Sequence, residues 1–328
     1  MKLLVFEYST VTSDNHLIHE GYNMLNSILT DLDNISDFEV YYLINENNKI
    51  EHLKNCKSIL INTNLMEWLD KNAYFYDYCL FIAPEDEFIQ YNITKALEKK
   101  HVIILGSDSY ASFICSSKNK TYEYIPNDIK KIPSIKKEIN HCTYHEIKEI
   151  FKEDELIIKP DNQTSSNFIY KVNNQKQFNK TLNIYKENKI KHILIQKFIR
   201  GISVSTSIIC NDNYIQCISL NSQIIENKKN QFKYKGCASP VNHPLKNEIY
   251  EISKKIIKSI PGLKGFVGID FIIQDNEIYF VEINSRITTP FIVLHENTNV
   301  NLTKCLIDIS LGKKDFEIQI IKEGTFIN

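Results

Sequence analysis

Short apolar runs alternate with longer amphipathic segments over the first third of the chain. "KLLVFEY", "FEVYYLI", "SILIN", "YCLFIA" and "HVIILG" are brief and rich in β-branched and aromatic residues, as buried strands are. Between them, "HEGYNMLNSILTDL", "MEWLDKNA" and "EFIQYNITKALEKK" repeat apolar residues at helical spacing. Strand and helix in alternation predict a parallel sheet covered by helices. Gly106 and the polar "SDSYAS" mark the end of this unit.

From about residue 116 the texture changes. A helical "SKNKTYEYI" leads into a lysine-rich connector around Pro126 and Pro133 and a helix near "TYHEIKEIFK". Strands follow at "ELIIKP" and "NFIYKV", then a helix through "NQKQFNKTLNIYKE" and a strand at "HILIQKFI", which together read as a small α+β lobe. After Gly201 come "SVSTSIIC", "YIQCISLNSQII", the long helix "LKNEIYEISKKIIKSI", a hairpin and a last helix "NLTKCLIDISLG". The α/β chain therefore divides into units at 1–115, 116–198 and 199–328, with no internal repeat.

At 328 residues, two or three packed units are expected on length alone. A net charge of -1, with Lys and Glu scattered along the chain, gives no basic stripe for nucleic acid and no acidic tail. The eight cysteines lie far apart without a C-x-x-C pair, which suits reduced thiols in a cytoplasmic protein. The opening "MKLLVFEYST" is too short for a signal sequence, and no segment approaches the roughly 18 apolar residues of a membrane span.

Charge interrupts the apolar pattern in "GFVGIDFIIQDNEIYFVEINSR", Gly265 to Arg286. The stretch reads as two strands around "QDNE", with Asn276 near the tip because asparagine tolerates the left-handed conformation of a tight loop. Pairing centred on Asn276 sets Asp270 opposite Glu282, and Asn284 shares the face of Glu282 because side chains two apart on a strand point the same way. The alternate face, Ile269, Phe271, Val281 and Ile283, is apolar and suited to burial against the preceding helix. Two carboxylates so close repel unless a cation lies between them, and an all-oxygen donor set favours Mg²⁺ or Mn²⁺ over zinc. Arg286 faces the same space, where its planar fork suits phosphate oxygens. Carboxylates, a hard metal and an arginine suggest nucleoside triphosphate chemistry. The ordinary alternative is a pair of solvated edge carboxylates; Asp275 and Glu277 fit it, whereas the apolar flanks of Asp270 and Glu282 argue against it.

The order of these residues resembles the ATP-grasp enzymes, and more narrowly the archaeal tyramine–glutamate ligases of methanofuran biosynthesis. The matching segments are "FEY", "EGYNML", "FIAPE" at 81–85, "CSSKNKTY" at 115–122, "IIKP" at 157–160, "IQKFIRG" with "SVS", "LNSQ", "YKG", "GLKGFVGIDF" and "VEINSRITTPF". The resemblance implies an N-terminal Rossmann-like α/β domain and two α+β lobes clamping ATP. It implies that Asp270, Glu282 and Asn284 hold two Mg²⁺ or Mn²⁺ ions and that Arg286 meets the transferred phosphate. Lys118 and Lys159 match the lysines on the ATP phosphates. Gln196 and the backbone around Lys197 and Ile199 match the adenine-binding segment, which otherwise reads as an ordinary strand end. Ser203 falls where many relatives carry a ribose-binding carboxylate. The implied reaction is ADP-forming ligation of an amino acid and an amine, with glutamate activated at its γ-carboxylate and tyramine as nucleophile. A homodimer is compatible with the resemblance.

Two departures stand out. After "IIKP" relatives show a glycine-rich loop whose amides cover the phosphates, whereas this chain has "DNQTSSN", Asp161 to Asn167, without glycine. The family "NPR" appears as "NSR" around Ser285. One rival reading is another ATP-grasp amino-acid ligase with different substrates, since pockets diverge faster than ATP sites; the other, motivated by the glycine-free loop, is a nucleotide-binding homologue without catalysis. "HLIHE" (His16, His19, Glu20) and "HCTYH" (His141, Cys142, His145) have metal-compatible spacings, but neither extends to a third separated ligand.

Overall fold

The alternating first third builds a five-stranded parallel sheet in the computed structural model, which describes residues 1–13, 17–48, 50, 53–153, 155–161, 168–313 and 316–328. Its strands are β1 (Lys2–Glu7), β2 (Glu39–Ile44), β3 (Cys56–Leu60), β4 (Tyr78–Ile82) and β5 (Ile103–Ile104), in the order β3-β2-β1-β4-β5. A parallel sheet buries both faces, and the central strand shows it. Leu3 and Val5 of β1 pack among Met24, Leu25 and Ile28 of a helix α2 (Ile18–Asp33), which follows the short α1 (Tyr8–Thr12). Leu4 and Phe6 face α3 (Leu65–Asn72) and α4 (Ile89–Lys99) on the other side. The apolar "HVIILG" forms only the two-residue β5, because β4 extends just two residues of ladder to it.

The rest of the chain forms one antiparallel sheet. Its strands are β6 (Ser134–Glu138), β7 (Leu156–Pro160), β8 (Ile169–Val172), β9 (His192–Lys197), β10 (Ile202–Asn211), β11 (Tyr214–Lys228), β12 (Gln231–Ser239), β13 (Gly265–Gln274), β14 (Glu277–Asn284) and β15 (Gly324–Ile327). They run β14-β13-β10-β11-β12-β8-β7-β9-β6, with β15 against β12. The short β8–β12 ladder, Tyr170 with Gln231 and Ile169 with Phe232, joins the strands of the small lobe to those that follow. Helices α5 (Ser109–Cys115), α6 (Lys118–Tyr124), α7 (Tyr144–Phe151), α8 (Gln175–Glu187), α9 (Lys246–Ser259), α10 (Pro290–Leu294) and α11 (Leu302–Ser310) complete the described α-helices.

One face of this sheet packs in the core and part of the other lines a cavity, and β7 and β13 send successive side chains to the two in turn. On β7, Leu156 and Ile158 are buried with Phe178, Leu182 and Tyr185 of α8, while Ile157 and Lys159 turn to the cavity. On β13, Ile269, Phe271 and Ile273 pack with Ile249, Ile256 and Ile257 of α9, while Asp270 and Ile272 line the cavity.

The hairpin corrects one expectation. Asp275 and Asn276 both adopt positive φ, 51° and 62°, as a two-residue turn between right-twisted strands requires. Gln274 pairs with Glu277 and Phe271 with Phe280, so the turn is centred half a residue before Asn276. A bulge after Phe271 then shifts the register by one, and Asp270 meets Glu282 as expected. Val281 is the extra residue: it is half-buried and lines the cavity, whereas Phe280 takes the core position expected of Val281.

All eight cysteines are free thiols. No described helix is long and apolar enough to cross a membrane.

Candidate active site

A cavity of about 940 Å³ lies between the inner face of the antiparallel sheet and the carboxyl ends of β1 and β4. Open parallel sheets place ligands at those strand ends. Asp270, Glu282, Asn284, Arg286, Lys159, Gln196, Lys197, Ile199 and Ser203 all line it. Lys118, at the first turn of α6, reaches the group through Glu282, with Nζ 3.3 Å from Oε2.

The sheet end of the cavity concentrates buried charge. Burial, reinforced by Glu282, pushes the Asp270 carboxyl up to about 7, although Gln223, Asn284 and Lys159 oppose the rise. Burial acts upward on Glu282 as well, but there Lys118, Lys159 and Arg286 together prevail and hold it below the usual carboxylate range. Lys159, 4 % exposed, is pushed down to about 8 by burial and by Lys118, against the attraction of Glu282, Asp270 and Asp161. One carboxylate is thus ready to ionise and its partner already has, as adjacent acids sharing a dry site do. Two carboxylates and an amide oxygen on neighbouring strand positions fit a hard divalent cation in donor type, with coordination completed by other oxygens. Among the described residues no group of three or more His, Cys, Asp or Glu could hold a metal by itself. His19, His141 and His145 therefore join no such group; His16 lies outside the described residues.

Asp161 fixes this corner. It is 2 % exposed, accepts from Ser117 Oγ (3.1 Å), the Asn119 amide (3.0 Å) and Lys136 Nζ (2.7 Å), and its carbonyl accepts from the Lys118 amide (3.2 Å). The first residue of "DNQTSSN" thereby ties the end of β7, which carries Lys159, to the start of α6, which carries Lys118. The remainder of that loop, 162–167, lies outside the described residues.

Arg286 is positioned from the parallel sheet. Its Nε donates to Glu85 Oε2 at 3.0 Å, and Glu85 Oε1 accepts from the Ser285 amide at 3.1 Å. Gln90 closes the frame, donating from Nε2 to the Ser285 carbonyl and accepting from Ser285 Oγ, both at 2.9 Å. Glu85 is fully buried, which raises its carboxyl against the pull of Arg286. Burial opposes the Arg286 charge, but Glu85 and Glu20 hold the guanidinium above its usual range, so it stays a cation.

Gln196, 2 % exposed, donates to Tyr122 OH at 2.8 Å. The Lys197 side chain turns away to Glu153 (2.6 Å), which leaves that residue's backbone at the segment between β9 and β10. Beneath Gln223, Asn221 accepts from Ser219 and Ser239 and donates to Ser205 and Ser207, a closed polar network under Asp270. Sequence reasoning named "FIAPE" and "LNSQ" only as matching segments; it missed the roles of Glu85, Gln90, Asn221 and Gln223. The signal available for Glu85 was a carboxylate directly after an apolar strand and a proline.

An ATP-grasp domain matches residues 115–290. The tyramine–L-glutamate ligase of Methanocaldococcus fervens is 34 % identical, over 93 % of this chain and 92 % of its own length. That of Methanocaldococcus jannaschii is 30 % identical, over 93 % and 88 %. Among solved structures, N5-carboxyaminoimidazole synthetase from Staphylococcus aureus complexed with ADP superposes with a TM-score of 0.73 at 17 % identity, covering 100 % of this chain and 82 % of that one.

Proposed function

The chain belongs to the ATP-grasp ligase family, and from that premise we propose that it joins the γ-carboxylate of L-glutamate to the amine of tyramine, forming ADP and phosphate. The observation that carries the reading is the cross-strand pair Asp270 and Glu282, facing Lys118 and Lys159 in the cavity that also holds Arg286. The two relatives that share about a third of its residues supply the substrate pair.

In this reading the adenine lies at Gln196 and the backbone of Lys197 and Ile199, and the ribose lies beside Ser203. Lys118 and Lys159 face the phosphates, whose charge offsets the cost of burying both lysines. Asp270, Glu282 and Asn284 would hold Mg²⁺ or Mn²⁺, which when bound neutralises charge on the phosphate oxygens. The γ-carboxylate oxygen of glutamate attacks the terminal phosphorus and ADP leaves, giving an acyl phosphate. Arg286, fixed by Glu85, holds the transferring group in line, so that catalysis here is chiefly positioning and charge neutralisation. The neutral amine then attacks the acyl carbon and phosphate departs.

Incubation with Mg-ATP, glutamate and tyramine is expected to release ADP and phosphate in step with γ-glutamyltyramine. AMP and pyrophosphate would overturn the reaction type. ADP release with a different acid or amine alone, from a panel of both, would overturn the substrate pair and leave the ligase.

A further inference from the structure

The cavity does not end at Arg286. It continues to the parallel sheet, where its walls are Leu17, Met24, Ile82 and Pro84 with the carboxylates of Glu7 and Glu20. Phosphates have no place against two glutamates; a cation with an apolar body does. Glu7, the last residue of β1, is 3 % exposed. Its Oε1 accepts from the Ser9 amide at 3.0 Å and its Oε2 from the Thr10 amide at 2.8 Å, which fixes the group and leaves each oxygen a further lone pair. Glycine at position 21 of α2 is what admits it: a Cβ there would stand 2.3 Å from Glu7 Oε2. Glu20, beside it, accepts from the Thr289 hydroxyl and from Asn328 Nδ2 at 3.3 Å.

We propose that Glu7 is the receptor for the ammonium group of the amine substrate and the acceptor of its proton, with the carbon frame against Leu17, Met24 and Ile82. This rests on the ligase reading above. Glutamate, with two carboxylates against one ammonium, is net negative and disfavoured at this end, whereas an arylalkyl ammonium, net positive, is attracted. One proton of the ammonium passes to Glu7; the nitrogen lone pair then forms the C–N bond as the C–O bond to phosphate breaks, and the second proton leaves with phosphate. Burial pushes the Glu7 carboxyl up to about 7, against the amides of Ser9 and Thr10 and the charge of Arg286, so it takes up a proton near neutrality.

The test compares two nucleophiles at pH 7 with saturating Mg-ATP and glutamate: tyramine, which arrives as a cation, and hydroxylamine, which is neutral and small. Glu7→Gln is expected to lower γ-glutamyltyramine formation relative to glutamyl hydroxamate on the order of a hundredfold and to raise KM for tyramine. Gly21→Ala keeps the carboxylate but displaces it, so it shifts the ratio the same way by less; Mg-ATP binding checks that each variant has folded. An unchanged ratio in both variants, or equal loss with both nucleophiles, overturns the assignment. Failure of the proposed substrate pair shows elsewhere: wild-type protein then makes hydroxamate but no γ-glutamyltyramine, and the Glu7 assignment falls with it.

Discussion

The two ends of the cavity bury opposite charges, and the same force works against both. At the antiparallel sheet burial pushes Lys159 down to about 8; at the parallel sheet it pushes Glu7 up to about 7. Desolvation alone would neutralise both groups. The difference lies in their company. Lys159 shares its corner with Glu282, Asp270 and Lys118, the set that meets phosphates and cations in the proposed function. Glu7 meets the amides of Ser9 and Thr10, the Ser9 side chain and the pull of Arg286, itself held by Glu85, with the Glu20 carboxylate on the same wall of the cavity. In the proposed function one end takes a polyanion that brings its own metal, and the other a small cation. The protein bears a stability cost at both ends for that polarity.

The sharpest way to break the comparison is at Lys159. If Lys159 donates to the phosphates as proposed, Lys159→Met lowers ATP turnover by on the order of a hundredfold or more. The same variant is expected to unfold later at pH 7, by roughly 1–3 kcal/mol. The sign follows from the depressed pKa: the charged lysine penalises the fold below about 8, and the penalty is relieved as pH rises from there toward the ordinary 10.5. ADP release and urea denaturation at pH 7 and 10 measure both effects, and the stability gain should shrink at the higher pH.

A smaller effect is expected at the joint between the two ends. Glu85→Gln keeps the shape and one hydrogen bond but removes the charge that orients Arg286. It should lower kcat about tenfold while moving KM for ATP little, since a misaimed guanidinium affects the transferring phosphoryl more than nucleotide binding. Steady-state kinetics separate the two; a rise in KM for ATP with kcat unchanged would place Arg286 on bound nucleotide only.

The smallest effect concerns the glutamate end. Because the Glu7 carboxyl is raised, its stabilising contribution is full below the ordinary 4.5 and is lost as pH rises through about 7. The groups facing it are the Ser9 and Thr10 amides, the Ser9 side chain, Gly21 of α2, Arg286 and, on the same cavity wall, Glu20. Glu7→Gln should therefore gain stability relative to wild type between about pH 4.5 and 7 and no further above, by no more than roughly 1–2 kcal/mol once the weakened amide contacts are counted. Melting temperatures across that range check the slope.

The same contrast explains what could be read from the chain. Charge inside an apolar strand is visible in sequence, so the Asp270–Glu282 pair was legible, and even the wrong turn centre reached it because the bulge at Val281 compensates by one residue. The parallel sheet was legible because its central strands β2, β1 and β4 are largely buried and read as apolar runs. β6 and β12 were not, because "SIKKE" is an edge strand with few apolar residues and "QFKYKGCAS" turns much of its side-chain surface to the cavity. Glu7 and Glu85 were hidden by a different cause. Glu7 ends a strand and Glu85 lies just beyond one, as ordinary polar residues do, and only the packing of Gly21 on Glu7 and the ion pair of Glu85 with Arg286, 201 residues on, set them apart.

Oxygen tracing tests most directly whether a carboxylate is activated at one end of the cavity and captured by an amine at the other. With glutamate carrying ¹⁸O in its γ-carboxylate, Mg-ATP and tyramine, the account expects one labelled oxygen in each released phosphate, because the acyl C–O bond is the one that breaks. Phosphate without label, alongside labelled γ-glutamyltyramine, would contradict it.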